Sequence, residues 1–265
     1  MHAQLLIETF AARSAQAAGA VALALAVALL ARRAGIGLLA ETRTALVRGI
    51  GQIVLAGLLL TLVLGSARWL SALVLSAMMV AAAVIAARRT KNIPGILQVS
   101  VPAVLIGAGL VIAIMVALGV IDAAPATVVP VGSMIIANAM NTAALALERF
   151  RAEVEAHPGQ IEAALALGAS PAAAVAPYAR AAARASLIPN LNNLRSLGIV
   201  WIPGLMAGMV IAGGNPVVAA IYQFTVVTML FATAGITSLL CTLFVRSHAF
   251  SAAEQLTLRR LKSET

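Results

Sequence analysis

Asn138 and Asn141 lie three residues apart in an otherwise apolar run, so a helix would turn both amides toward one side. Amides can hold a polar solute by hydrogen bonds or through a carbonyl oxygen, but they do not titrate near neutral pH. Gln52, Tyr222, Gln223, Thr225 and Thr228 offer comparable groups in other apolar stretches. The ordinary role of each is an interhelical hydrogen bond, worth about 0.6 kcal/mol on average. An ionisable side chain at membrane depth costs about 2.5–3.5 kcal/mol on insertion scales and usually marks function. None falls in the interior of the predicted spans, Arg48 and Arg195 lying near span ends, which argues against a proton-relay carrier, an intramembrane protease and a metal centre built of carboxylates. His2, His157 and His248 all fall in loops or tails, and the single Cys241 excludes an internal disulfide. Methionines of the spans, such as Met115 and Met206, are read as adaptable filler between helices rather than soft-metal ligands. No catalytic residue and no metal ligand is assigned.

A second group of residues could do mechanical rather than chemical work. The stretch from Ile161 to Pro189 is moderately polar and helix-prone. Ile161–Leu167 is a run of helix formers, and Gly168 suits the left-handed position that ends a helix. Ser170 can cap a new helix and Pro171 is pre-shaped for its first turn. Arg180 and Arg184 then share one face. Pro177 is expected to bend or shorten this second helix, and Pro189 to stop it. The prediction is helix, tight turn, helix, chain exit: a compact knob. An amphipathic hairpin with no partner satisfies the same pattern.

A third feature is Pro203-Gly204, expected in the middle of a membrane span. Proline removes one helical hydrogen bond and glycine permits the bend, so backbone carbonyls would become available to a solute. Gly204 and Gly208 also form a small-xxx-small face suited to close helix packing.

These residues need a scaffold, and composition says which kind. The chain of 265 residues is 62% hydrophobic and 10% charged, with a mean hydropathy of +1.02. Soluble domains carry about 25% charged residues. The expected fold is therefore all-α and polytopic, with about seven transmembrane helices and a cytoplasmic helical coupling segment over residues 148–193. The predicted spans are 15–31, 46–64, 70–87, 99–121, 127–147, 194–213 and 217–245. Gly65–Trp69 is read as a turn and Asn92-Ile93-Pro94-Gly95 as a helix breaker. The fifth span is expected to continue as a polar helix to His157, with Arg149–Glu153 and Arg151–Glu155 pairs. Arg195 is read as an end anchor of the sixth span. Residues 1–265 are taken as one transmembrane domain.

The net charge of +9 would ordinarily point to nucleic acid, but aromatic residues make up only 4% and stacking platforms are absent. Charge position explains it better. Loops 32–48, 88–98 and 148–196 and the tail from 246 hold sixteen of the eighteen Lys and Arg residues. The positive-inside rule places that side in the cytoplasm, so the N-terminus is expected outside and the C-terminus inside. The first apolar run has its arginines, Arg32 and Arg33, after it rather than before it, which favours an uncleaved span over a signal peptide.

Glu162-Ala163-Ala164, followed at Gly168 by Gly-Ala-Ser-Pro, resembles the EAA motif of ABC-transporter permeases. Over residues 40–256, the runs Pro130–Met140, Ile202–Gly208 and Tyr222-Gln223 resemble the FetB-type bacterial iron-export permeases and the plant aluminium-tolerance permeases of the same family. The resemblance implies a multi-pass permease of the inner (plasma) membrane, paired as a homodimer within lipid. It also implies a separate ABC ATPase subunit. There Glu162, Ala163, Gly168, Ser170, Pro171, Arg180 and Arg184 would belong to the coupling segment. Asn138, Asn141, Pro203, Gly204, Gly208 and Gln223 would belong to the path or its hinge. This chain has no G-x-x-x-x-G-K-[ST] loop, so ATP and magnesium would be bound by the partner. Export of iron, or a complex of it, is the implied activity. The rivals are an ABC permease for an organic solute such as a nucleotide sugar, an intramembrane enzyme and a non-transporting membrane scaffold.

Overall fold

A computed structural model describes residues 2–64, 68–90, 93–251, 255, 256 and 258; the side chains of 2–13, 59, 62–64 and 68 lie outside the description. The described chain is all helix, with no strand: α1 (His2–Arg33), α2 (Leu39–Leu64), α3 (Arg68–Arg89), α4 (Ile96–Ala117), α5 (Pro125–Ala156), α6 (Pro158–Ala166), α7 (Pro171–Ser196), α8 (Gly204–Ile211) and α9 (Pro216–His248). Two compact units are formed, Met1–Gly65 and Ser66–Thr265. The first is the α1–α2 pair. The second packs α3, α4, α5, α7 and α9 against one another.

Among the described residues, five helical segments are long and apolar enough to cross a membrane: Ser14–Arg33, Trp69–Arg89, Ile96–Ala117, Pro125–Ala156 and Pro216–His248. They correspond to the predicted first, third, fourth, fifth and seventh spans. The second predicted span lies within α2; the turn residues Gly65–Ala67, the cluster residues Lys91 and Asn92, and the tail cations Arg259, Arg260 and Lys262 lie outside the description.

The core of the second unit is small-residue packing. Gly107 of α4 lies so close to α9 that an added Cβ would sit 3.2 Å from the backbone nitrogen of Thr237 and collide with its side chain. Without a hydrophobic drive between helices in lipid, such close approach supplies the van der Waals contact that holds helices together. Val99, Ala103, Val104 and Ala108 of α4 are likewise buried.

Three expectations are corrected here. Pro177 and Pro189 both sit inside α7, which runs unbroken from Pro171 to Ser196. A proline frees one carbonyl of the preceding turn, and a helix packed against α5 and α9 tolerates that loss where an isolated one does not. The sixth predicted span is not one helix, because α7 ends at Ser196, residues 197–203 are irregular, and α8 begins at Gly204. Pro203 is therefore the N-cap of α8, not a bend inside a helix. Arg195 stands exposed in the last turn of α7, not at the head of a separate sixth span. Asn190 of α7 donates to Thr142 of α5 (3.5 Å), and Ser186 bonds Ser238 of α9 (2.7 Å), so the second half of α7 packs into the bundle.

Candidate functional site

Two places gather the residues singled out by sequence. The first is the connection between α5 and α7. His157 ends α5, and its Nδ1 donates to the Glu153 carbonyl (2.9 Å) while its ring stacks on Tyr178 at 5.0 Å. Tyr178 in turn donates to Gln160 Oε1 at 2.8 Å, tying α6 to α7. Of the two predicted ion pairs on α5, Arg151–Glu155 forms at 2.7 Å, whereas Glu153 faces His157 at 3.9 Å.

The end of α6 follows from its residues. Gly168 has φ +89°, its N–H reaches the Leu165 carbonyl (2.9 Å), and the Ala169 N–H reaches that of Ala164 (3.0 Å). This is the paired bonding of a Schellman stop, which places the left-handed residue just beyond the helix. Ser170 Oγ then accepts from Ala173 N–H at 3.4 Å, with Pro171 opening α7. Ile161 is fully buried and anchors α6, while Glu162, Ala163, Leu167 and Gly168 are exposed. Leu167 stands 89% exposed at the tip. Arg180 and Arg184 are exposed farther along α7. The arrangement is a locally capped knob with an apolar tip and charged flanks.

The second place is a cleft of about 200 Å³ between α5 and α7. Asn138, Asn141 and Thr142 line one wall, and Ser186, Asn190 and Asn193 the other. Asn138 donates to the Leu230 carbonyl of α9 at 2.7 Å, and Asn141 Oδ1 accepts from the Arg89 guanidinium at 2.9 Å. Asn190 and Asn193 were not singled out by sequence. The signal was present: Asn190 and Asn193 repeat the i,i+3 spacing of Asn138 and Asn141. Treating Pro189 as a helix stop hid it.

Gln223 does not join this cleft. It is 2% exposed, and its Oε1 accepts from the Met206 N–H at 3.2 Å, fixing the first turn of α8 to α9. Gly204 and Gly208 have open space where a Cβ would stand, so their small face packs on no described residue of this chain. Thr225 and Thr228 bond carbonyls of their own helix. Among the described residues no group of three or more His, Cys, Asp or Glu could hold a metal ion.

The family described as "Uncharacterised protein family (UPF0014)" matches residues 14–250. A UPF0014 membrane protein of Synechocystis is 36% identical over 219 residues, covering 79% of this chain and 83% of the relative. The "Probable iron export permease protein FetB" of Escherichia coli is 33% identical over 179 residues, covering 68% of this chain and 69% of that one. The rice UPF0014 membrane protein STAR2 is 30% identical over 242 residues, covering 91% and 84%. No solved structure matches significantly.

Proposed function

Because this chain belongs to the UPF0014 family of membrane proteins, we propose that it is the membrane-spanning subunit of an ABC-type exporter driven by a separate ATPase. The single observation that carries the reading is the α6–α7 knob. Of the residues that resemble the EAA motif, Glu162, Ala163, Gly168 and Ser170 are exposed and Ala164, Ala169 and Pro171 half-buried, and they flank a turn capped at both ends. A coupling element needs both properties: a stiff backbone to transmit displacement and a free surface to receive it. The relative named as an iron export permease supports iron, free or complexed, as the cargo. In this reading residues 1–265 act as one permease domain, two copies enclose the path, and the ATPase partner binds ATP and magnesium.

The charge distribution supports an inner-membrane orientation with the knob, the C-terminus and the ends of α3 and α5 in the cytoplasm and the N-terminus outside. A nucleotide sugar is less favoured than a small solute, since the cleft falls below the roughly 300–1,000 Å³ of sites that enclose drug-sized ligands.

The test is co-purification with an ATPase, followed by vesicle transport. Glu162→Lys and Gly168→Asp are expected to leave the protein inserted and folded while ATP hydrolysis no longer drives export. Full transport by both variants removes the mechanism.

A further inference from the structure

The α1–α2 unit holds a basic crook that transport by the second unit does not use. Arg32 lies at the end of the apolar segment Ser14–Arg33, which is long enough to cross a membrane, and Arg43 and Arg48 stand near the start of α2. The turn between the two helices is fixed. Gly35 N–H reaches the Arg32 carbonyl (3.1 Å) and Ile36 N–H that of Ala31 (2.9 Å), the same paired bonding as at Gly168. Two adjoining hollows form beside this turn. One, of about 330 Å³, is lined by Arg32 and Arg43, and the other, of about 400 Å³, by Arg43 and Arg48. Ala40 and Arg43 line both, while Leu39 and Val47 supply apolar wall. Ala40, Arg43 and Val47 share one side of α2 by their i, i+3, i+7 spacing.

The charge in the crook is unbalanced. Glu41 is the unit's one acid among the described side chains, and it lines neither hollow. No ion pair or hydrogen bond among the described residues engages Arg32, Arg43 or Arg48. An ordinary arginine at a span end stands singly in the headgroup layer, its stem along the helix and its head in water. Here guanidinium groups from two helices line connected hollows with apolar wall beside them. The complement is a group that is anionic, rich in oxygen and attached to something apolar. Guanidinium forks match phosphate oxygens two at a time. Since Arg32 ends a membrane-length apolar run, lipid phosphate is the anion that meets it there.

We infer that the α1–α2 crook is a binding site for the headgroup of an anionic phospholipid, with Arg32, Arg43 and Arg48 on its phosphate. The acyl chains have a surface to follow, because Val27, Leu30, Ile50 and Ile53 stand exposed on the same two helices. Arg43 is the central contact, since it alone of the three arginines lines both hollows. The site needs membrane insertion and no ATPase, so it stands or falls apart from the exporter reading.

Native mass spectrometry of the purified full-length protein in detergent, titrated with lipid, tests this. The probes are phosphatidylglycerol, phosphatidylcholine and inorganic phosphate. Saturable retention of phosphatidylglycerol is expected, with much weaker retention of phosphatidylcholine. Arg43→Gln is expected to weaken phosphatidylglycerol binding about 10-fold or more, the scale of a lost charge-assisted hydrogen bond. Arg33→Gln removes a neighbouring positive charge that lines neither hollow, and is expected to leave binding at the parent's level. Both arginines are exposed, and unfolding temperatures show that the variants are folded. Equal retention of the two lipids overturns the inference. So does an equal loss in Arg33→Gln and Arg43→Gln, which would make the attraction a diffuse charge effect rather than a site. Binding of inorganic phosphate that depends on Arg43, with no preference between the lipids, assigns the crook to a soluble anion and overturns it as well.

Discussion

The α4–α9 seam and the α6–α7 knob are built by opposite means. Among the described residues the seam's side-chain polar contact is at its end, between His248 and Gln98, and its middle is held by proximity: Gly107 brings one backbone against another. The knob buries little and is held by directed hydrogen bonds: the Schellman pair at Gly168, the Ser170 cap and the Tyr178–Gln160 bond. In lipid, close packing is the main source of helix association, so the seam carries stability. A water-exposed element gains little from packing, so the knob must obtain its rigidity locally. In the proposed exporter, that separation lets the knob be pushed without loosening the bundle.

The largest effect expected from breaking this contrast is at the seam. Gly107→Leu forces α4 away from α9, because the new side chain meets Thr237 backbone as well as side chain and the backbone cannot rotate aside. Overpacking of this kind costs about 1–3 kcal/mol, occasionally more. The expected outcome is a lower unfolding temperature in detergent and poor yield of folded protein. A variant as stable as the parent would show that the seam is not where the bundle is held.

Much of the contrast could be read from sequence, and the failures share a cause. The knob was legible because its signals are local: Gly168, Ser170 and Pro171 each act within one turn of their own position. The continuation of the fifth span to His157 was legible for the same reason. The seam was not, since nothing in the sequence near Gly107 says that Thr237 is its neighbour. The asparagine cleft was half legible. Asn138 and Asn141 stood out in an apolar run, but Asn190 and Asn193 lay beyond a proline taken to end a helix. Packed against α5 and α9, α7 continues through Pro189 and brings Asn190 and Asn193 to the cleft. Tertiary packing overruled a local rule, and the residues hidden by it are those that form one wall of the cleft.

A smaller effect tests a polar bond inside the packed region. Asn138→Leu removes the bond to the Leu230 carbonyl and one wall amide of the cleft. Interhelical polar bonds in membrane proteins average about 0.6 kcal/mol and reach about 1.7. The bundle is therefore expected to unfold only slightly earlier, while transport falls by far more than that loss of stability explains. Paired measurements of unfolding temperature and initial transport rate decide it: parallel losses would make Asn138 a packing residue and nothing else.

The smallest effect belongs to the knob. Ser170→Ala deletes a cap whose bond, at 3.4 Å, is already long. Caps are worth about 0.5–2 kcal/mol, and a long one falls at the low end. The bundle should unfold at nearly the parent temperature, because the cap holds only the first turn of α7. Amide hydrogen exchange should nonetheless quicken at Ala173 and Ala174, and, if α6–α7 transmits force, export per ATP hydrolysed should drop with it. Faster exchange with unchanged coupling would mean that the lever is stiffened by the Schellman turn and Tyr178 alone. The contrast between seam and knob would then survive with the cap outside it.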